Sequence, residues 1–319
     1  MPTFHQPPSN EHIDWSSPAL KIIFLGTSGS MPTQRRGASA IAVKRNRELI
    51  IFDCGEGTQR RMVEAGLGFR RPTKIFISHL HGDHILGLPG LLQSMTLLDR
   101  ERPLEVYGPT GLADFMRAFS ETLGIPRFPV KLFEIVSEGL VFQGDEYVVA
   151  TVEADHDMPS WSYVLEERPK PGRFHPEKAE ALGVPKGPLW KRLQQGEDVV
   201  LEDGRSVKTE EVIDPPRKGL KIAYSGDTRP SERFAVAAEG SDLLIHEATF
   251  DDLLLERAGE NRHSTATQAA EIAVKADAKR LILTHISSRY PDPSHLLEEA
   301  KAIFPETMIA EDLYEIDLS

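Results

Sequence analysis

The chain has 319 residues, 40% hydrophobic and 27% charged, the proportions of a soluble globular protein with room for one large domain or two small ones. No apolar run approaches the roughly 18 residues that cross a bilayer, and the start, MPTFHQPPSNEHIDWSSP, lacks a basic or apolar leader region; we expect a cytoplasmic protein with no membrane partner. The net charge of −12 sets the averaged field against a polyanionic partner, which only a local concentration of cations can overturn.

Residues 1–18 read as a flexible N-terminal extension. Short β-rich apolar runs bounded by turn residues then predict strands at Lys21 to Leu25, Ala40 to Val43, Leu49 to Phe52, Lys74 to Ile77, Leu104 to Tyr107 and Tyr147 to Val152. After an interruption come Leu220 to Tyr224, Asp242 to Ile245 and Arg280 to Leu283. Helical periodicity fills the intervals at about Gly57 to Ala65, Ile85 to Leu98, Gly111 to Leu123, Ser231 to Ala238, Ser264 to Ala276 and Ser294 to Ala300. Strands joined through crossover helices imply a layered α/β architecture whose ligand-bearing loops lie at strand ends. The single cysteine, Cys54 in Phe52-Asp53-Cys54-Gly55, cannot form an internal disulfide and reads as a small buried residue.

The interruption, residues 166–218, is rich in Pro, Gly and charge and contains a helical pair around Pro176 to Leu182 and Pro188 to Gln194, too structured for a linker. It reads as an arm inserted into the main domain. From Arg168 to Arg192 it carries seven basic residues against two acidic, a local net charge of +5. Paired arginines at 35/36, 60/61 and 70/71 are ambiguous by themselves.

Ser78-His79-Leu80-His81-Gly82-Asp83-His84 follows the fourth predicted strand. Period-2 alternation points His79 and His81 the same way, so their imidazoles can converge on one ion. Asp83 and His84, beyond Gly82, open the next helix and can face a second ion; two metals about 3.5–4 Å apart form the clamp of phosphodiester hydrolysis. Such a site needs more ligands, and further strand ends supply them: Asp155-His156-Asp157, Ser225-Gly226-Asp227-Thr228 and Thr284-His285.

On these residues the chain, from Lys21 to His285, resembles the metallo-β-lactamase superfamily and, within it, the ribonuclease Z family. The resemblance implies a four-layer αβ/βα sandwich over residues 19–319 interrupted by the arm at 166–218. It implies two Zn2+ per subunit: His79, His81 and His156 on one, Asp83, His84 and His285 on the other, Asp227 bridging. Paired dications lower the pKa of a shared water far below the bulk value. The family assigns Asp83 the proton-accepting role.

Superfamily membership says hydrolysis and leaves the substrate open. Phe24-Leu25-Gly26-Thr27-Ser28-Gly29-Ser30-Met31-Pro32-Thr33 resembles the opening motif of the ribonuclease Z family, whose Gly-rich turn brings backbone N–H groups toward the metal cleft. The family pattern has Arg-Asn shortly after this proline, whereas here Arg36 precedes Gly37. His246-Glu247-Ala248-Thr249 and His263-Ser264-Thr265 also resemble this family; we expect His263 to be a general acid with Glu247 orienting its imidazole. Lys186, Gly187, Pro188, Lys191 and Arg192 resemble the exosite that grips tRNA, and the +5 segment supports that assignment independently of the resemblance. The implied activity is zinc-dependent removal of the 3′ trailer from precursor tRNA by a homodimer. Its alternatives are a superfamily hydrolase of a small phosphodiester or thioester, which has no use for a basic arm, and a non-catalytic RNA-binding member, which does not need all seven ligands.

Overall fold

Alternation inside the apolar runs assigns side chains to layers. The computed structural model describes residues 20–169 and 171–319; the predicted N-terminal extension and Lys170 lie outside them. In Glu48–Phe52, Ile50 and Phe52 face one core while Leu49 and Ile51 face another, because successive strand residues point to opposite sides. A strand buried on both faces must lie between two layers.

The first seven-stranded sheet runs in the order Glu315–Leu318, Leu20–Gly26, Ala40–Arg45, Glu48–Phe52, Thr73–Phe76, Leu104–Pro109, Val130–Ile135. The second runs Thr307–Ile309, Leu281–Thr284, Leu243–Glu247, Lys221–Tyr224, Trp161–Glu167, Tyr147–Glu153, Gly139–Gln143. Phe52, Phe76, Tyr163 and Tyr224 interleave between the sheets, with Phe52 5.8 Å from Tyr163 and 5.7 Å from Tyr224, centroid to centroid. Helices Thr58–Glu64, Gly87–Leu97 and Leu112–Leu123 cover the outer face of the first sheet; Glu232–Ala237, Ala266–Lys275 and Ser294–Ile303 cover that of the second. Buried Ala266, Ala269, Ala270 and Ala273 bring one of these helices close to its sheet, and Thr265 with Gln268 caps its N-terminus reciprocally. The result is the expected four-layer αβ/βα sandwich.

Several elements depart from the periodicity reading. Val130–Ile135, Gly139–Gln143, Trp161–Glu167, Thr307–Ile309 and Glu315–Leu318 are additional strands. The helix expected from Ile85 is broken: a turn at Gly82–Ile85 holds Asp83 and His84, and Gly87–Leu97 follows. Gly87 is packed so closely on the main chain that an added Cβ would lie 1.9 Å from the Gly55 carbonyl oxygen.

Residues 166 and 167 belong to the strand Trp161–Glu167, and the inserted segment follows it. It holds helices Pro176–Ala181 and Pro188–Gln194, a hairpin of Val199–Val200 with Ser206–Val207, and the turn Thr209–Val212 around its own small core of Ala179, Val184, Leu193, Val199, Leu201, Val207 and Val212. Its ends meet: Glu167 N–H donates to Leu220 O. Among the described residues, no helix is long and apolar enough to cross a membrane.

Candidate active site

The site gathers where strands of both sheets end. Asp53 follows Glu48–Phe52, Ser78 to His84 follow Thr73–Phe76, His156 follows Tyr147–Glu153, Asp227 follows Lys221–Tyr224, and His285 follows Leu281–Thr284. These segments line a cleft of about 630 Å³ that includes His81, Asp83, His156, Asp227 and His263.

All seven predicted ligands converge. Donor atoms of His79, His81 and His156 lie within 4.8 Å of one another, as do those of Asp83, His84 and His285, and Asp227 groups with His79 and His84. The closest approaches are His79 Nε2 to His81 Nδ1 at 3.0 Å, His156 Nε2 to His81 Nδ1 at 3.3 Å and His84 Nε2 to His285 Nε2 at 3.3 Å. Asp227 Oδ2 lies 3.2 Å from His285 Nε2, 3.4 Å from His84 Nε2 and 3.7 Å from His79 Nε2, between the two sets. Its other oxygen, Oδ1, is buried and has no hydrogen-bond partner among the described residues. An unpartnered carboxylate oxygen amid nitrogens aimed at one another is unfavourable in a protein interior, but it fits cation binding.

Burial, reinforced by neighbouring His84, pushes His79 well below the ordinary imidazole range, and burial also lowers His156, so both present lone pairs rather than charges. His84 behaves oppositely: burial opposes its charge, but Asp227 and Asp53 outweigh burial and raise it well above the ordinary range. A metal at Nε2 must therefore displace a proton. Asp83 is lowered: desolvation opposes its charge, and hydrogen bonds from His285 and His84 overcome it.

A surrounding shell fixes these rings. Asp53, fully buried and at φ 59°, accepts from Ser78 N–H at 2.6 Å, Ser78 Oγ–H at 2.9 Å and Tyr224 O–H at 2.6 Å, and pairs with His84 Nδ1 at 2.8 Å. This carboxylate–imidazole pair turns Nε2 of His84 toward Asp227. Asp53 is absent from the site expected from sequence, because its local context, an acidic residue directly after the apolar run Leu49 to Phe52, does not name its partners. Ser30 N–H, at a left-handed turn, donates to Asp83 Oδ2 at 2.8 Å, so the Gly-rich opening motif does bring an amide to the cleft. Arg36 instead turns inward, its Nη1 donating to Thr27 Oγ1 at 2.7 Å and Ala310 O at 2.6 Å, while Gly37 N–H donates to Asp312. Cys54 is fully buried, its thiol pushed up to about 12 by burial, in keeping with a packing role.

Beside the ligand cluster, His263 Nδ1 lies 2.8 Å from Glu247 Oε1. Burial opposes the His263 charge, but the Glu247 carboxylate more than offsets it and raises the pKa to about 9. Glu247 is anchored by Thr228 N–H at 2.9 Å and by Thr249 Oγ1–H at 2.6 Å. His246 is fully buried against Phe234 and lies outside the cleft. Lys186, Gly187, Pro188, Lys191 and Arg192 are exposed around the arm helix Pro188–Gln194, and none of them lines the cleft.

Comparison with known proteins places this architecture. A family described as Anti-Pycsar protein Apyc1 matches residues 20–120, which contain much of the first sheet and the HxHxDH motif. Ribonuclease Z of Natronomonas pharaonis is 49% identical over 303 residues, covering 94% of this chain and 98% of its own. The chain belongs to the ribonuclease Z family. Another similar structure, that of human tRNase Z, short form, shares 31% identity over 93% of this chain and 98% of its own, with a TM-score of 0.68. The metallo-beta-lactamase fold protein YhfI of Bacillus subtilis, 17% identical with a TM-score of 0.68 over 95% of this chain and all of its own, shares the fold. Since the ribonuclease Z match covers 94% of this chain, the likeness extends well beyond the metal motif.

Proposed function

We propose that this protein removes the 3′ trailer from precursor tRNA, leaving a 3′-hydroxyl on the tRNA and a 5′-phosphate on the trailer, and that it works with two zinc ions per subunit in the cytoplasm. The observation carrying this reading is the Glu247–His263 pair beside seven converging ligand atoms. A ribose 3′-oxygen is a poor leaving group and gains most from an acid at the moment of departure.

The mixed His and carboxylate set suits zinc: His79, His81 and His156 would hold one ion, Asp83, His84 and His285 the other, and Asp227 lies between the two sets. Bound there, the metals would supply an acidified water and neutralise charge on the scissile phosphate. Asp83, its Oδ2 fixed by Ser30 N–H, orients the nucleophile and accepts its proton. Glu247 holds His263 Nδ1, leaving Nε2 to deliver a proton to the departing 3′-oxygen. Lys186, Lys191 and Arg192, exposed around the Gly187–Pro188 turn, grip tRNA phosphates away from the cut. A homodimer would let the arm of one subunit hold the tRNA cut by the other.

The test incubates the protein with a 3′-extended precursor tRNA, with and without chelator, and maps both new ends. We expect a tRNA 3′-hydroxyl and a trailer 5′-phosphate, loss of cleavage on chelation, and recovery with zinc. Chelator-insensitive cleavage, or none after zinc reconstitution, overturns the mechanism.

A further inference from the structure

Thr249 belongs to neither the ligand set nor the acid pair, yet it is 3% exposed and lines the cleft. It stands two residues beyond the strand Leu243–Glu247, where its hydroxyl falls between Glu247 and His285. Oγ1 lies 2.6 Å from Glu247 Oε2 and 2.8 Å from His285 Nδ1.

A hydroxyl has one proton to give, and an ionised carboxylate can only accept. Glu247 Oε1 accepts the Thr228 N–H and meets His263 Nδ1, which leaves Oε2 to face Thr249 as an acceptor. The Thr249 proton therefore goes to Glu247 Oε2, and the Oγ1 lone pair accepts the Nδ1–H of His285. With its proton on Nδ1, His285 presents a bare Nε2, the atom 3.2 Å from Asp227 Oδ2 and 3.3 Å from His84 Nε2. The ring sits at a left-handed residue, φ 56°, a backbone conformation that by itself gives the imidazole no preferred proton position. On the other side, the same bond sets the rotation of Glu247, whose Oε1 then meets His263 Nδ1 at 2.8 Å and Thr228 N–H at 2.9 Å.

We propose that Thr249 is a positioning residue whose single hydroxyl orders the protons of both His285 and the Glu247–His263 pair, tying the metal-facing ring to the leaving-group acid. This rests on the function proposed above. Thr228 N–H supports Glu247 but makes no hydrogen bond to a ligand imidazole, and Asp53 supports His84 but makes no hydrogen bond to the acid pair. Thr249 reaches both.

The experiment compares wild type, Thr249→Val and Thr249→Ser. Two readouts are taken: kcat and KM on a 3′-extended precursor tRNA, and affinity for cobalt(II) from its visible absorption in competition with a chelator. Valine keeps the shape and removes the hydroxyl; we expect kcat to fall about 100-fold with KM within about twofold, and cobalt affinity to fall about 10- to 100-fold, the range for losing an outer partner of a ligand. Serine restores the hydroxyl and is expected to return both readouts to within about threefold of wild type. A valine variant within about threefold of wild type in both, or a serine variant as damaged as valine, overturns the proposal, because packing rather than proton order would then explain the residue. Should Thr249→Val not fold, Thr249→Ala is judged by the same criteria. Failure of wild type to cleave precursor tRNA would strike the proposed function, while the cobalt titration would still decide the role of Thr249.

Discussion

The cleft and the arm solve different physical problems. In the cleft, His79, His84 and His285 are almost wholly buried and each has its second ring nitrogen held, by Ser78 at 2.9 Å, Asp53 at 2.8 Å and Thr249 at 2.8 Å respectively. The arm has a small core and displays its cations in exposed ion pairs, Lys186 with Glu180 at 2.7 Å and Arg192 with Glu197 at 3.0 Å. Such surface pairs are worth only about 0–1 kcal/mol, so a phosphate can readily displace the carboxylate partner. The described part of the basic stretch shares its small core with a return, Leu193 to Lys218, that carries seven acidic residues against four basic. On the proposed function, the difference is that bond breaking needs fixed, buried groups whereas grip needs reach and local charge, so the two should be separable by mutation.

The largest expected separation comes from Asp83→Ala, which should lower kcat about 10⁴-fold or more on precursor tRNA and on a small phosphodiester alike, with tRNA binding by gel shift unchanged. Weakened tRNA binding would mean that the cleft also grips. Replacing residues 168–218 by a short link is feasible because Glu167 and Leu220 already touch. It should reduce kcat/KM for precursor tRNA about 10³-fold and spare the small phosphodiester, since remote binding energy serves only the large substrate; equal loss on both removes the exosite assignment. His263→Ala should slow tRNA cleavage about 10²- to 10³-fold but barely affect a nitrophenyl phosphodiester, whose leaving group departs without a proton. Equal slowing would assign His263 to something other than the leaving group. The Lys191→Ala, Arg192→Ala double variant should raise KM about tenfold and make the log–log salt dependence of tRNA binding shallower by about one per lost phosphate contact. Smallest of all, Cys54 should resist alkylation in the folded protein at pH 8, because it is fully buried and its thiol is raised to about 12, and react fully after unfolding; labelling of native protein would reveal that this part of the core opens.

Much of the cleft was legible because its candidate ligands sit in short motifs immediately after strands, where two-residue alternation and turn chemistry are local. His79, His81, Asp83 and His84 lie within six residues, and His156, Asp227 and His285 each follow an apolar run. Asp53 and Thr249 were not legible, because their meaning depends on partners far away in the chain: Asp53 meets Tyr224 across 171 residues and Thr249 meets His285 across 36. The strand Trp161–Glu167 was hidden for the same reason. Its last residue, a buried glutamate, is tolerated because Arg45 Nε donates to it at 2.8 Å from 122 residues away.

The sequence by itself therefore determined the layered class, the short motifs that carry the candidate ligands and the basic segment, since each is written in residue type and near-neighbour spacing. Only the tertiary structure decided which carboxylate holds which imidazole, that Arg36 turns inward while Ser30 reaches Asp83, and that the described part of the basic segment shares a small core with an acidic return. Proton order and orientation in a buried cluster arise from contacts between strand ends brought together from both sheets, and no local pattern encodes those contacts.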